Sequence, residues 1–293
     1  MTPARKAEFA LLFNTVIWGA TFTLVKTALG GISPILFLAL RFSLATLALF
    51  VLFRGLGKGK RSWQSIGSGF LAGVFLFGGY LLQTQGLRLT TAPKSAFLTG
   101  LTSVMIPLLA SLVYKSRPQV SEVVGIVVAT VGLGLMTLEG TISAISRGDL
   151  LTLLGAVAFA AHIVSVGHYS GKVNFELLSI MQVGTAALLS SSLFWWAETP
   201  RVEWRPDVVL AIVVTGLFAT ALAFTVQSWA FRYTTSSRAA VIYLLEPIFA
   251  WITSYLLVGE GLSIRATAGA ALILSGVLVV ELKPLKPKRH QST

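Results

Sequence analysis

The sequence predicts an all-α integral membrane protein with ten transmembrane helices arranged as two inverted five-helix repeats. Three observations carry this. Hydrophobic residues make up 55% of the 293-residue chain and charged residues only 12%, about half the charged share of a soluble domain. Apolar stretches of about 20 residues, the length that crosses a ~30 Å hydrocarbon core, recur along the whole chain. The first half also resembles the second at a nearly constant offset. A mean hydropathy of +0.80 excludes a soluble enzyme or a soluble binding module.

Ten apolar stretches can be marked out, at 9–29, 34–53, 66–87, 95–114, 120–138, 150–168, 177–197, 208–231, 239–258 and 262–280. Arg5 and Lys6 before the first give it the look of a signal peptide. It is too long for one and is followed by nine further stretches, so it reads as a retained helix. The links are short and carry turn residues, such as Gly30-Gly31-Ile32-Ser33-Pro34 and the basic segment at 55–61. The longest polar link opens at Glu198-Thr199-Pro200 and runs to Asp207. No extramembrane domain fits between them.

Charge orients the chain. With the N-terminus inside, fifteen Lys and Arg fall on the inner side (Arg5, Lys6, Arg54, Lys58, Lys60, Arg61, Lys115, Arg117, Lys172, Arg232, Arg238, Lys283, Lys286, Lys288, Arg289) and six on the outer (Arg88, Lys94, Arg147, Arg201, Arg205, Arg265). This bias places both termini on the cytoplasmic side of the membrane. It also accounts for the net charge of +12 without a nucleic-acid partner. The basic tail from Lys283 reads as a disordered segment against anionic lipid, so the lipid bilayer is the expected macroscopic partner.

Gln83, Arg88, Thr90, Thr91 and Ala96 recur, without gaps, as Gln227, Arg232, Thr234, Thr235 and Ala240, an offset of 144 residues. Leu101/Leu245, Gly125/Gly269 and Gly132/Gly276 keep it. Five helices per copy is an odd number, so the second copy enters the membrane from the opposite side. Residues 1–141 then form one repeat, and 142–293 form the other together with the basic tail. Inverted repeats are the plan of many secondary transporters, with a binding cavity near the midplane between the copies. Rocking one half against the other opens that cavity to each side in turn.

Several motifs resemble a known family. They are Trp18-Gly19-Ala20-Thr21-Phe22 followed by Lys26, Phe37-Leu38-Ala39-Leu40-Arg41-Phe42, and Glu246-Pro247 followed by Gly259-Glu260. With the five-plus-five plan they are similar to the EamA-type members of the drug/metabolite transporter superfamily, over nearly the whole chain. The chain departs from that pattern in two places. A proline is expected near Ser103, but Pro107 is present instead, which puts the expected kink one turn deeper. Phe159 stands where the family often has Trp. The resemblance implies a polytopic carrier, often an exporter of amino acids or other small metabolites.

The candidate substrate-binding residues are Trp18, Thr21, Tyr80, Gln83, Phe159, His162, Gln227, Trp229, Tyr243 and Glu246. A charge at membrane depth costs roughly 2.5–3.5 kcal/mol and usually faces a cavity or a partner, which singles out Glu246. Pro247 lacks an N–H, so the Tyr243 carbonyl loses its helical donor. Acid and carbonyl together suit an ammonium group or a proton; the competing reading is a structural Glu paired with Arg or a backbone amide. His162, the repeat partner of Thr21, either contacts substrate or protons or is a neutral hydrogen-bonded core residue; His168, near the cytoplasmic end, reads as interfacial. Gln83 and Gln227 are repeat partners, and the aromatic residues supply apolar wall or ordinary packing. Trp195, Trp196 and Trp204 flank an outer loop and read as interface belt.

Arg41 and Lys26 read as structural, with the second helix peripheral. Lys94 and Arg238 follow Thr-Thr pairs that can cap helices. Gly69 and Gly73, with Gly67 before them, permit close packing of the third helix. Gly125, Gly132, Gly269 and Gly276 allow the fifth and tenth helices to meet within one chain or across a homodimer. There is no cysteine, no metal-ligand cluster, no Walker motif and no nucleophile–base pair, so no cofactor is implied.

The function these features support is a secondary transporter that moves a small metabolite, foremost an amino acid, outward by alternating access, so a small-molecule substrate is the expected partner. A broad efflux carrier for hydrophobic cations is the alternative. A membrane-embedded enzyme acting on lipid, with His162 and Glu246 as acid and base, is a third; two-sided access argues against it.

Overall fold

The computed structural model describes residues 1–54, 63–90, 92–115, 119–137, 146–258 and 263–281. The basic link at 55–61, Thr91, Arg117, Gly259-Glu260 and the tail from Lys283 lie outside the described residues, as does the Lys94 side chain. Thirteen α-helices and one π-turn make ten spans among the described residues. The first three spans are α1 (Pro3–Ala28), α2 (Pro34–Phe53) and α3 (Trp63–Leu89). The fourth is broken into α4 (Ala92–Gly100) and α5 (Thr102–Tyr114), and the fifth is α6 (Val120–Thr137). The sixth and seventh are α7 (Arg147–Tyr169) and α8 (Phe175–Ala197). The eighth runs through α9 (Pro206–Gly216), a π-turn (Leu217–Leu222) and α10 (Ala223–Ala230). The ninth is broken into α11 (Ser236–Tyr243) and α12 (Glu246–Val258), and the tenth is α13 (Ile264–Glu281). Seven of these spans are long and apolar enough to cross a membrane on their own.

The helix starts follow from capping. Thr2 accepts from the Arg5 amide ahead of Pro3. Asn174 caps α8, and Ser146 with Asp149 forms a capping box on α7, so the first orphan amides of each helix are satisfied. The α2 amides are capped from a distance. The Glu198 carboxylate accepts from Leu36 at 2.8 Å and Ile35 at 3.1 Å, where an anion also meets the positive end of the helix dipole.

Polar residues lie inside and large apolar ones outside. Asn14, Gln182 and Thr220 are fully buried, whereas Phe50, Leu112, Leu188 and Leu256 are well exposed. Water would penalise such an outward apolar surface; lipid does not.

The repeats meet about a pseudo-two-fold axis. A Cβ on Gly132 would lie 2.5 Å from the Gly269 carbonyl, and a Cβ on Gly276 would lie 2.5 Å from the Gly125 carbonyl. This reciprocal contact joins α6 to α13 within one chain, so the glycines are used inside the fold. Gly69 and Gly73 likewise allow α3 to approach Met181 and Thr185 of α8. The leading helix of each repeat lies in the other repeat. α1 packs on α9 to α12, and α7 packs on α3, α4 and α5.

Matching contacts close the two ends of the bundle. At the N-terminal end, Glu8 on α1 pairs with Arg238 at 2.8 Å and accepts from Thr234 at 3.5 Å. At the opposite end, its repeat equivalent Asp149 on α7 accepts from Thr90 at 2.6 Å. Lys26 donates there to the Leu87 and Thr90 carbonyls, at 2.6 and 3.3 Å, and so caps the C-terminal turn of α3. At the same end the Gly31–Ser33 link pairs with the polar loop: Ser33 N donates to Arg201 O at 2.9 Å and Glu203 N to Gly31 O at 2.7 Å.

Both broken spans break at repeat-equivalent places. Val104 N donates to Leu101 O, and Ile248 N to Leu245 O, each three residues back at 3.0 Å. The kink expected at Pro107 is therefore nearly two turns earlier, at Leu101, and Pro107 sits inside α5. Gly100 holds a helix poorly, and the Thr102 hydroxyl bonds Ala156 O on α7 at 3.2 Å. These two features do in the first repeat what Pro247 does in the second.

Gly132→Ala is expected to destabilise the protein by about 1–3 kcal/mol through overpacking against a backbone carbonyl. Gly67→Ala, where the added Cβ meets nothing within 4 Å, leaves the melting temperature unchanged or raised. Thermal unfolding in detergent compares the two.

Candidate functional site

The two breaks face one cavity. Thr99, Gly100, Thr102 and Ser103 line it from the first break, and Tyr243 and Glu246 from the second. Its free volume is about 110 Å³, of the order of the roughly 150 Å³ void that admits benzene. Lining residues run along α1 from Trp18 to Val25 and along α3 from Tyr80 to Leu87, so the cavity extends toward the end where Lys26 and Asp149 lie. Toward the N-terminal end it is closed by buried Leu11, Ile106, Ala110, Val164 and Ala240.

Most of the residues expected from the sequence are brought together. Trp18, Thr21, Tyr80, Gln83, Phe159, His162, Gln227, Tyr243 and Glu246 all line the cavity. Trp229 does not; its ring packs beside Tyr233 at 5.4 Å. The repeat orders the polar part. Gln83 Nε2 donates to Thr99 Oγ1 at 3.0 Å and Gln227 Nε2 to Tyr243 OH at 2.9 Å. Thr99 and Tyr243 are separated by the same 144 residues as the glutamines. The Gln227 Oε1 is buried and has no hydrogen-bond partner among the described residues.

Glu246 opens α12 and is partly buried. No hydrogen bond or ion pair to its carboxyl occurs among the described residues, so the structural reading, in which an Arg or a backbone amide pairs with it, finds no partner there. The positive end of α12 favours negative charge at this place. Pro247 leaves the Tyr243 carbonyl without its helical donor.

His162 is 1% exposed. Its Nε2 lies 2.7 Å from Gln182 Oε1, and Gln182 Nε2 donates to Ser228 Oγ at 2.9 Å. With the Gln182 amide nitrogen turned to Ser228, its oxygen accepts, and the imidazole proton sits on Nε2. The histidine is thus a held core residue whose ring edge also reaches the cavity. Thr21 donates to its own helix at Trp18 O. His168 accepts from Lys172 at 2.8 Å and stacks on Tyr114 at 5.6 Å at the N-terminal end of the bundle, away from the cavity.

The aromatic wall is edge-on. Trp18 meets Tyr243 at 5.3 Å and Phe224 at 5.6 Å, and Tyr80 meets Phe159 at 5.0 Å. Trp18 is anchored by its Nε1 on Ala219 O at 2.9 Å. A Cβ on Gly79 would lie 2.6 Å from the Phe159 ring, so the glycine makes room for that phenyl.

Arg41 corrects the sequence-based expectation. It is buried away from the surface, and no acid pairs with it among the described residues. It is 4% exposed, lines the cavity and donates to Thr220 Oγ1 at 2.7 Å and to Tyr80 OH at 3.1 Å. The second span packs on α8, α9 and the π-turn and is not peripheral. Phe224 was also missed, although it stands 144 residues after Tyr80; applying the repeat to residues already chosen finds it, and Thr99 from Tyr243 as well.

An inverted-repeat bundle with paired broken spans around a cavity of apolar walls and a few polar groups is the architecture of a membrane transporter. The EamA-like transporter family matches residues 5–138 and 146–282, and the chain belongs to that family. It is 35% identical over 277 residues to an uncharacterized transporter of Archaeoglobus fulgidus, covering 94% of this chain and 86% of that one. It is 24% identical over 297 residues to a probable terminal-alkyne amino-acid exporter of Streptantibioticus cattleyicolor, covering 98% and 97%. One crystal structure superposes with a TM-score of 0.81 at 19% identity, covering 95% of this chain and 97% of that one, which speaks for the fold alone.

Trp18→Phe, which removes the anchor on Ala219, is expected to lower transport about tenfold, the equivalent of one hydrogen bond of about 1.4 kcal/mol. Trp229→Phe, outside the cavity, leaves transport within about twofold. Initial rates in proteoliposomes at equal protein content compare them.

Proposed function

We propose that this protein is a secondary carrier that exports a small amino acid by alternating access, with both termini cytoplasmic. The observation that carries the reading is Glu246. A carboxyl without a protein partner among the described residues opens a half-helix in a cavity of small volume. A substrate ammonium is a fitting counter-charge, because it brings N–H donors to an acid that lines the cavity beside the break at Tyr243. The aromatic edges of Trp18, Tyr80 and Phe224 accept an apolar side chain. The Streptantibioticus relative, a probable terminal-alkyne amino-acid exporter, supports the same substrate class and direction.

Alternating access draws its support from the matched end contacts. Glu8 with Thr234 and Arg238 holds the end that is sealed, and Asp149 with Thr90 sits where the cavity extends. Opening the first set and tightening around the second exposes Glu246 to the other side. Each helix break supplies a hinge at the midplane.

Counterflow of a pooled set of labelled amino acids into proteoliposomes, at equal pH on both faces, tests the reading. Accumulation that unlabelled substrate competes away is expected. Glu246→Gln is expected to lower the initial rate about tenfold or more, the scale of a charge-assisted contact, with the melting temperature preserved. Unchanged rates would remove Glu246 from the mechanism. Competition by quaternary ammonium compounds and not by amino acids would move the function to efflux of hydrophobic cations.

A further inference from the structure

We infer that Arg41 is the carboxylate-binding pole of the cavity, so that the site takes a solute carrying an ammonium and a carboxylate together. The inference rests on the reading of this cavity as the transport site for an amino acid, and it names the half of the substrate that Glu246 does not explain.

An arginine is charged at any working pH and presents five N–H donors. Three are used here by neutral oxygens. Nε donates to Thr220 Oγ1 at 2.7 Å, and Nη2 to Tyr80 OH at 3.1 Å and to Ala219 O at 3.4 Å. The guanidinium also lies over the Tyr80 ring, 4.4 Å from its centroid. Nη1 has no acceptor among the described residues, and no carboxylate pairs with the group there. A positive charge is therefore held in place by neutral groups at the wall of a cavity, with donors to spare. Planar oxyanions are what such a fork binds best.

Two departures from the pseudo-symmetry meet at this residue. The repeat equivalent of Arg41 is Gln182, 141 residues on, in the same spacing that relates Trp18 to Phe159 and Glu8 to Asp149. Gln182 is neutral and fully engaged with His162 and Ser228, so the architecture does not require a charge at this place. The π-turn at Leu217–Leu222 likewise has no counterpart, because α3 runs as continuous α-helix from Trp63 to Leu89. That turn supplies Ala219 and Thr220, the seat of Arg41. π-Turns inside helices recur at functional sites, and this one presents the guanidinium. A cavity with one fixed cation and one acid is matched to a zwitterion and mismatched to a hydrophobic cation, which Arg41 repels.

The test uses the best counterflow substrate from the amino-acid pool with two analogues of it: the α-carboxamide and the decarboxylated amine. In the wild type, each analogue is expected to compete about tenfold or more weakly than the parent, the scale of one lost charge-assisted contact. In Arg41→Gln the parent falls to the level of its analogues, while the amine keeps its own potency within about threefold. Arg41→Lys, a point charge without the fork, recovers part of the preference. If Arg41→Gln does not fold, the wild-type analogue series and Arg41→Lys still decide the matter. Equal competition by amine and parent in the wild type would overturn the carboxylate pole and leave the carrier standing. Failure of all three to exchange, from folded protein, would overturn the amino-acid reading and this proposal with it.

Discussion

A peptide group that leaves the helix inside lipid must find its partners within the protein, because the hydrocarbon offers none. The rest of this structure depends on how that constraint is met. The chain breaks its helix geometry at Leu101, at Leu244–Leu245 and through the π-turn at Leu217–Leu222; the first two breaks are flanked by residues that line the cavity, and the π-turn holds Arg41 and Trp18, which line it too. Its polar groups are met from neighbouring spans. Thr102 reaches Ala156, Trp18 and Arg41 reach Ala219, and Asn14 reaches Ala223 at 2.7 Å. Irregular backbone is tolerated at depth where it lines such a space, and there it supplies the polar atoms that a run of Leu and Val cannot.

Pseudo-symmetry organises this economy of polar groups. The glycine contacts of α6 and α13, the glutamine–hydroxyl pairs and the acid–threonine contacts at the two ends all occur twice. The symmetric elements hold the scaffold and frame the cavity. The copies differ at a few places near it: Glu246 stands opposite Thr102, Arg41 opposite Gln182, and the π-turn opposite regular helix.

The packing also shows how the repeats are tied together. Because α1 lies among α9 to α12 and α7 among α3 to α5, neither repeat is a separate body. Their end contacts cross between copies, as in the Glu8–Arg238 pair at 2.8 Å and the Glu198 cap on α2. These are short-range polar contacts between elements far apart in the chain.

Much of this was legible in the residues. Ten spans, a repeat of 144 residues and an intramembrane Glu246 before Pro247 are local or periodic features, and periodicity survives in a linear string. Glycine pairs at matching positions announced close helix contacts, but not whether the contact lay within one chain or between two. Arg41 was read as lying on a peripheral helix for a related reason. Its meaning depends on Thr220, almost 180 residues away, and on a π-turn that no hydrophobic pattern encodes. Trp229 was misread in the opposite direction, because residue type suggested a cavity and helix rotation placed it against Tyr233. What the sequence determined by itself is the membrane solvent, the span count and the twofold plan, since burial of apolar side chains and the length of a bilayer act on each segment independently. Which polar groups share one cavity was decided only by the tertiary structure, since it depends on how each helix is rotated against partners distant in sequence.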